Sequence, residues 1–567
     1  MSVLQKTWQI KNSDPSASLL QKLLSNRGLK DETAIEHFFH PDPARDFHDP
    51  FLMEDMERAV ARIGEAIEKS QRIMIFGDYD VDGITGTAIL MRSLRKLGAN
   101  VSYRLPHRIE DGYGMREKFI REFAKLDVKL AITVDNGISC FNEVELANKL
   151  GVDIIITDHH TVPEKNPNAC AILHPKLPGS RYPFTELTGA GVALKLAQAL
   201  LMRRMNDEPA RLEEITKLLD LACMGTIADL GELKGENRYI VKEGLRVLEN
   251  TRWPGLSRLK EFAGVKGKID THDIGFLLSP RINAAGRISH PSHALQLLLN
   301  DSKNTTLLAE NLERLNRKRQ TMMAELFEKA EALAEKQSAD PIIIIGGPEF
   351  HGGIIGLIAG KLSEKYSRPV IAMEERPTAF VGSCRSIPTV NIVQALAAAK
   401  SLLTNFGGHA AAAGFEIAKE NRQKFEAKLK THVGKMLRAK DIKAVLPIEC
   451  EISHDEISEK TIEMLQWFEP FGIGNEVPRF LCRNVLVQEY STVGADLPAG
   501  QAGKKHLKII ARLANGDRID CIGFSLGQFA NQIQQNKPVD LVAEVERDEW
   551  NGRKKIQLKF VDLRIAE

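Results

Sequence analysis

The chain has 567 residues, 43% hydrophobic and 27% charged, enough apolar content for roughly three to five cored domains. A formal charge of +2 neither demands nor excludes a nucleic-acid partner, so local clustering of Lys and Arg becomes the informative quantity. Seven scattered cysteines with no CxxC pair exclude a zinc ribbon and a disulfide framework, and no stretch approaches the roughly eighteen apolar residues of a membrane span.

With Gln5, Lys6 and Gln9 interrupting any signal-peptide apolar region, a cytoplasmic protein is expected. Residues 1–50 carry a short helical pattern at Leu19, Leu20, Leu23 and Leu24, then a Pro-rich exit through Pro41 and Pro43, and are expected to cap the first domain. The helical spacing of Met56, Val60, Ile63 and Ile67 leads into an apolar strand that ends at Asp78-Tyr-Asp80-Val-Asp82-Gly83. Three carboxylates at alternate positions repel one another, and a divalent cation among them is the usual remedy. An EF-hand is excluded because its twelfth position, where a Glu must stand, is Ile89.

The pattern of strand, polar turn and helix recurs. Residues 130–134 run into Asp135-Asn136-Gly137, and residues 152–157 run into Asp158-His159-His160. Short buried strands alternating with helices imply an α/β domain with a doubly wound parallel sheet, where ligands gather beyond the carboxyl ends of the strands. A helical stretch over 215–227 delivers Asp229, which alone reads as a helix-end residue. Arg281, Asn283 and Arg287 fall in what reads as a turn-rich loop, suited either to gripping an anion or to a structural role.

From Leu308 to Leu333 the spacing predicts a connecting helix of some thirty residues, about 45 Å long, with a basic run at Arg314, Arg317, Lys318 and Arg319. A second α/β lobe opens at residues 341–345. It holds a Gly-rich helix entry at His351 that fits no P-loop, then Ser383 and Arg385, then Gly407-Gly408-His409. Small residues around that His imply a close backbone approach, to another helix or to a phosphate-bearing ligand. After residue 446 five β-like runs predict a barrel of the OB type, with a hairpin at Asn551-Gly552, a loop over 495–503, and charge from Lys504, Lys505, Lys508, Arg553, Lys554 and Lys555. The expected divisions are a cap at 1–50, a catalytic domain at 51–300, the helix at 301–337, a second lobe at 338–446 and the barrel at 447–567.

Asp78, Asp80, Asp82, Asp135, Asp158, His159, His160 and Asp229 form a set of hard oxygen donors with imidazoles and no thiolate, which suits two Mn2+ or Mg2+ ions sharing a carboxylate. In order, Asp78-Tyr-Asp80-Val-Asp82-Gly, Asp135-Asn-Gly, Asp158-His159-His160 and Ala228-Asp229 resemble the four motifs of the DHH phosphoesterases. The runs at His351 and His409 resemble the companion DHHA1 domain. With the barrel, the resemblance covers nearly the whole chain and points to the branch that degrades single-stranded DNA from 5′ to 3′.

The resemblance implies that Asp80, Asp82, Asp135, His159 and Asp229 bind the two ions, with Asp135 bridging. Asp158 orients the histidines and His160 faces the scissile phosphate. Asp78 stands in for a ligand where some members carry His and this chain has Phe76. It further implies that Arg108, Arg281, Asn283, Ser383, Arg385, Gly408 and His409 line the DNA path, several around a 5′-phosphate, in a channel too narrow for duplex. Roles in repair and recombination beside single-strand-binding protein and a RecQ-type helicase are also implied. The alternatives are a relative acting on short oligonucleotides or cyclic dinucleotides, which usually lacks the barrel, and a catalytically silent single-strand-binding scaffold, which loses acidic ligands.

Overall fold

In strand Arg72–Gly77, Ile73 and Ile75 join one apolar cluster while Met74 and Phe76 join another on the opposite face. A strand buried on both sides belongs in a parallel sheet covered by helices. The sheet has that form. Its order is Val101–Arg104, Arg72–Gly77, Val128–Val134, Asp153–Thr157, Ala171–Leu173, and every pairing is parallel. Because Arg72–Gly77 lies between the second and third strands in chain order, the connections leave it in opposite directions. That makes its carboxyl end, beside the end of Val128–Val134, a topological switch point.

The computed structural model describes residues 2–302, 305–438, 445–494, 506–548 and 554–566. They fall into two compact units, one of residues 31–318 with 468–476, the other of residues 2–30, 319–467 and 477–566. Helix Thr305–Glu335, with 31 residues, contributes its first part to one unit and the remainder to the other.

In the first unit, helices Val81–Lys96 and Gly189–Arg204 pack against the sheet through an apolar cluster that includes Ile84, Ala88, Ala190 and Leu194. Residues 268–276 and 468–476 meet through Thr271 Oγ1, which donates to Phe471 O at 2.6 Å, and Arg238 donates to the carbonyls of Phe468, Glu469 and Pro470. Segment 279–288 is a helix, Ser279–Ile288, not the loop expected from its composition. Pro280 sits in the first turn, where its missing N–H costs nothing, and Gly286 is at a close approach, since a Cβ there would lie 3.1 Å from Tyr79 O.

In the second unit a mixed sheet runs Leu403–Gly408, Ala412–Ala418, Ala379–Arg385, Val370–Glu375, Ile343–Gly347. The C-terminal strands Phe480–Val493, His506–Arg512, Arg518–Gly523, Lys555–Ile565 and Pro538–Asp548 pair in that order, and the last pairs back on the first. The barrel is therefore closed, which removes exposed edges. The expected Asn551-Gly552 turn, the loop over 495–503, and Lys504, Lys505 and Arg553 lie outside the described residues.

The expected cap over residues 1–50 is corrected. Strand Thr7–Ile10 pairs in parallel with Val445–Ile448, and Trp8 Nε1 donates to Asp562 Oδ2 at 2.8 Å, so residues 2–30 belong with the barrel. Only the part after residue 30 packs in the catalytic unit, where Lys195 anchors it. Lys195 is fully buried, donates to Glu236 Oε1 at 2.8 Å and to His48 O, and lies 3.8 Å over the Phe47 ring. Glu236 also accepts from Tyr182 Oη at 2.6 Å. Lys195→Ala leaves Glu236 buried without its countercharge, and is expected to lower stability by about 3–5 kcal/mol in denaturant titration. The double variant Lys195→Met/Glu236→Leu should lose much less.

Candidate metal centre

The acidic motifs meet at the switch point. Strand Arg72–Gly77 delivers Asp78, Asp80 and Asp82, strand Val128–Val134 delivers Asp135, and strand Asp153–Thr157 delivers Asp158, His159 and His160. Asp229 arrives from elsewhere, as the C-cap of helix Glu208–Ala228. Donor atoms of Asp78, Asp80 and Asp135 lie within 4.8 Å of one another, as do those of Asp82, His159 and Asp229, and those of Asp135, His159 and His160. His159 Nε2 is 3.1 Å from Asp135 Oδ1, 3.5 Å from Asp229 Oδ2 and 3.9 Å from Asp82 Oδ2. Asp135 and His159 thus join the groups.

Backbone donors hold two of the carboxylates. Asp80 caps helix Val81–Lys96, accepting from Gly83 N at 3.1 Å. Asp82 accepts from Gly189 N at 2.6 Å and Ala190 N at 2.9 Å, at the start of helix Gly189–Arg204. Both gain from the positive end of a helix dipole. The packing requires glycine at three places, since a Cβ on Gly83 would lie 2.7 Å from Asp78 Cβ, one on Gly189 2.5 Å from Asp135 Cβ and one on Gly225 2.6 Å from Asp82 Oδ1. Asp135 itself has φ 62°, a left-handed conformation unusual outside glycine.

Burial, then mutual repulsion, raises the carboxyls: Asp82 to about 7, Asp229 to about 8, and Asp78 and Asp135 well above their ordinary value. Burial and the neighbouring His160 lower His159 to about 3, which keeps it neutral. Despite burial, Asp158 is drawn down to about 2 and His160 up to about 9 by the bond between them, with His160 Nδ1 2.7 Å from Asp158 Oδ1. Asp158 also accepts from the backbone N–H groups of His159, His160 and Ile138, so its oxygens are spent on holding this turn.

Asp78 Oδ1, Asp135 Oδ1 and His159 Nε2 are buried without a hydrogen bond. Unsatisfied buried donors and acceptors that face one another are what a cation would complete, and the set of carboxylate oxygens with imidazole fits Mn2+ or Mg2+. Phe76 is not available as a ligand, because it points into the opposite core against Phe119 and Phe123, with ring centroids 5.0 and 6.3 Å away. Asp78 stands beside Asp80 and Asp135 instead.

The other expected contact residues fall into two sets. Arg108 lies 4.5 Å over the Tyr79 ring and lowers the cost of charge on Asp78. Arg281 is tied by its Nε to Glu313 at 2.7 Å, and Asn283 sits on the same helix with a buried, unbonded Oδ1. In the other unit, Arg385 Nη1 donates to Ser383 Oγ at 3.3 Å, and a Cβ on Gly356 would lie 3.0 Å from that oxygen. The Gly-rich entry to helix Ile355–Tyr366 therefore meets this pair, while Gly408 and His409 form the turn of the adjacent hairpin.

Sequence reading missed two elements. Thr188-Gly-Ala-Gly191 supplies the N–H groups on Asp82, and its signal was the run of small residues at a helix start. Tyr113, whose hydroxyl donates to Asp135 O at 3.0 Å, was marked only by its flanking glycines.

Comparison with known proteins agrees with this organisation. Residues 72–226 match the model of the DHH family, N-terminal domain, residues 339–435 match the DHHA1 domain, and residues 448–562 match the RecJ OB domain. The chain is 36% identical to the single-stranded-DNA-specific exonuclease RecJ of Bacillus subtilis over 97% of its own length and 68% of that protein's. It is 31% identical to the exonuclease of the same name from Dickeya dadantii over 96% of each. The chain belongs to the RecJ family. Its structure is similar to RecJ of Thermus thermophilus solved with Mn2+, at 29% identity and TM-score 0.81, over 99% of this chain and 80% of that one.

For this RecJ-family centre, cations must displace protons. Apparent affinity for Mn2+ is expected to rise as pH rises from 6 to about 8, through the values of Asp82 and Asp229, with proton release in calorimetry. Since those carboxyls titrate above their unfolded value near 3.8, the metal-free protein gains stability by protonation at low pH and loses it as pH rises toward 8. The melting-temperature increment from Mn2+ should therefore grow over the same range; an increment independent of pH would contradict the assignment.

Proposed function

We propose that the chain is a metal-dependent exonuclease that degrades single-stranded DNA from the 5′ end to mononucleotides. One observation carries the reading: two groups of closely spaced carboxylates, with Asp78, Asp82 and Asp135 buried, joined through Asp135 and His159 at the switch point, in a chain of the RecJ family. Two divalent cations, Mn2+ or Mg2+, would supply activation of water and neutralisation of the charge that develops on the scissile phosphate. Asp78, Asp80 and Asp135 would hold one, and Asp82, His159 and Asp229 the other, with Asp135 shared.

The chain's own groups do the remainder. Asp158 keeps His160 protonated, so an imidazolium is available to donate to a phosphate oxygen. Arg108, Arg281 and Asn283 serve as contacts to the strand, and Ser383, Arg385, Gly408 and His409 as a polar corner for the 5′-phosphate, a group that guanidinium forks suit. The closed C-terminal barrel supports a long strand as substrate in preference to a dinucleotide. Seven free cysteines fit a cytoplasmic setting. Work in repair and recombination, on strands presented by a RecQ-type helicase and single-strand-binding protein, belongs to the same reading.

Asp135→Ala is expected to reduce cleavage at least 1,000-fold, on the order of 4 kcal/mol of barrier, while single-strand affinity stays within about threefold, because that affinity comes from Lys and Arg contacts. Polarity is tested with strands blocked at one end. Cleavage should stop with a 5′ block and continue with a 3′ block, and the reverse result would refute the polarity.

A further inference from the structure

The loop that precedes helix Glu117–Lys125 is built to present one side chain. Gly112 and Gly114 both have left-handed backbone, φ 72° and 81°, and Tyr113 stands between them. Asp111 knots the loop: its Oδ2 accepts from His107 N at 2.6 Å, its N–H donates to His107 O at 2.9 Å, and Lys118 pairs with its Oδ1. Conformations that only glycine adopts without strain, on either side of one aromatic, fix where that aromatic points.

Tyr113 points at the metal centre. Its hydroxyl donates to the carbonyl of Asp135, and its oxygen lies 3.1 and 3.4 Å from the two ring nitrogens of His160. The ring centroids of Tyr113 and His160 are 5.3 Å apart at 57°. Asp158 holds His160 at Nδ1, and the tyrosine oxygen lies against the ring edge between the two nitrogens, nearer to Nδ1. The same contact pins the carbonyl of the one metal-centre aspartate whose backbone is left-handed. Yet Tyr113 is 43% exposed, which is not how a core aromatic behaves. A partly exposed aromatic side chain beside a phosphate-processing centre is suited to stacking on a nucleobase.

We infer that Tyr113 is a positioning and substrate-contact residue: its hydroxyl orients His160, and its exposed ring stacks on the base of the nucleotide being removed. The inference rests on the exonuclease reading above. It adds a base contact to a centre otherwise made of phosphate and metal contacts, and that contact is tolerant of sequence because every base has a π-face.

The test compares the full-length wild type, Tyr113→Phe and Tyr113→Ala with Mn2+ on 5′-phosphorylated single strands whose terminal nucleotide is either normal or abasic. Tyr113→Phe keeps the ring and should lower kcat about tenfold with KM within about twofold, as one hydrogen bond of orientation is lost. Tyr113→Ala should in addition raise KM about tenfold. The abasic end should raise KM for wild type and Tyr113→Phe but not for Tyr113→Ala, the non-additivity expected of two groups that touch. Wild-type kcat in Tyr113→Phe would overturn the positioning role, and equal abasic penalties in wild type and Tyr113→Ala would overturn the stacking. A wild type that leaves both strands uncut would instead overturn the exonuclease reading itself.

Discussion

Repulsion among buried carboxylates at the switch point is the constraint on which the rest of the catalytic unit depends. At separations under 5 Å and an effective dielectric near 20, each pair costs on the order of 3–4 kcal/mol. A charge-assisted hydrogen bond returns about 1.5–3 kcal/mol, so the N–H groups of Gly83, Gly189 and Ala190 offset only part of it. The balance must come from protons or from cations. That is why the architecture around the site is so particular: helix starts aimed at Asp80 and Asp82, glycines where helices close on Asp82 and Asp135, and a strained backbone at Asp135 itself.

Two adjacent histidines illustrate how burial and partner decide chemistry between them. His159 faces Asp135, Asp229 and Asp82 but is desolvated, and it stays neutral with an open Nε2, the form in which imidazole ligates metals. His160 makes a direct bond to Asp158 and carries a proton. One position offers a bare ring nitrogen, the other a proton. Their difference arises from Asp158, whose other contacts are to the backbone of the same turn and of Ile138.

Much of this was legible in the sequence because strand ends announce themselves: an apolar run, then Asp, Asn, Gly or His. The motifs at Asp78, Asp135 and Asp158 followed that rule, and short buried strands alternating with helices implied the doubly wound parallel sheet. What escaped depends on contacts between remote segments. Gly225 reads as an ordinary helical glycine until Asp82 is found against it. Pro280, Asn283 and Gly286 look like loop chemistry, yet one sits in a first helical turn and another at a backbone crossing. Nothing in Thr7–Ile10 names a partner strand hundreds of residues later.

That last pairing bears on how the chain is made. The parallel ladder between Thr7–Ile10 and Val445–Ile448 cannot form until the later strand has left the ribosome, on the order of a minute after the first at about 5–20 residues per second. The catalytic unit, drawn almost wholly from residues 31–318, has its strands and helices available long before then. During synthesis the strands that carry the metal centre are therefore available ahead of the barrel, while strand Thr7–Ile10 has no ladder partner until residues 445–448 emerge.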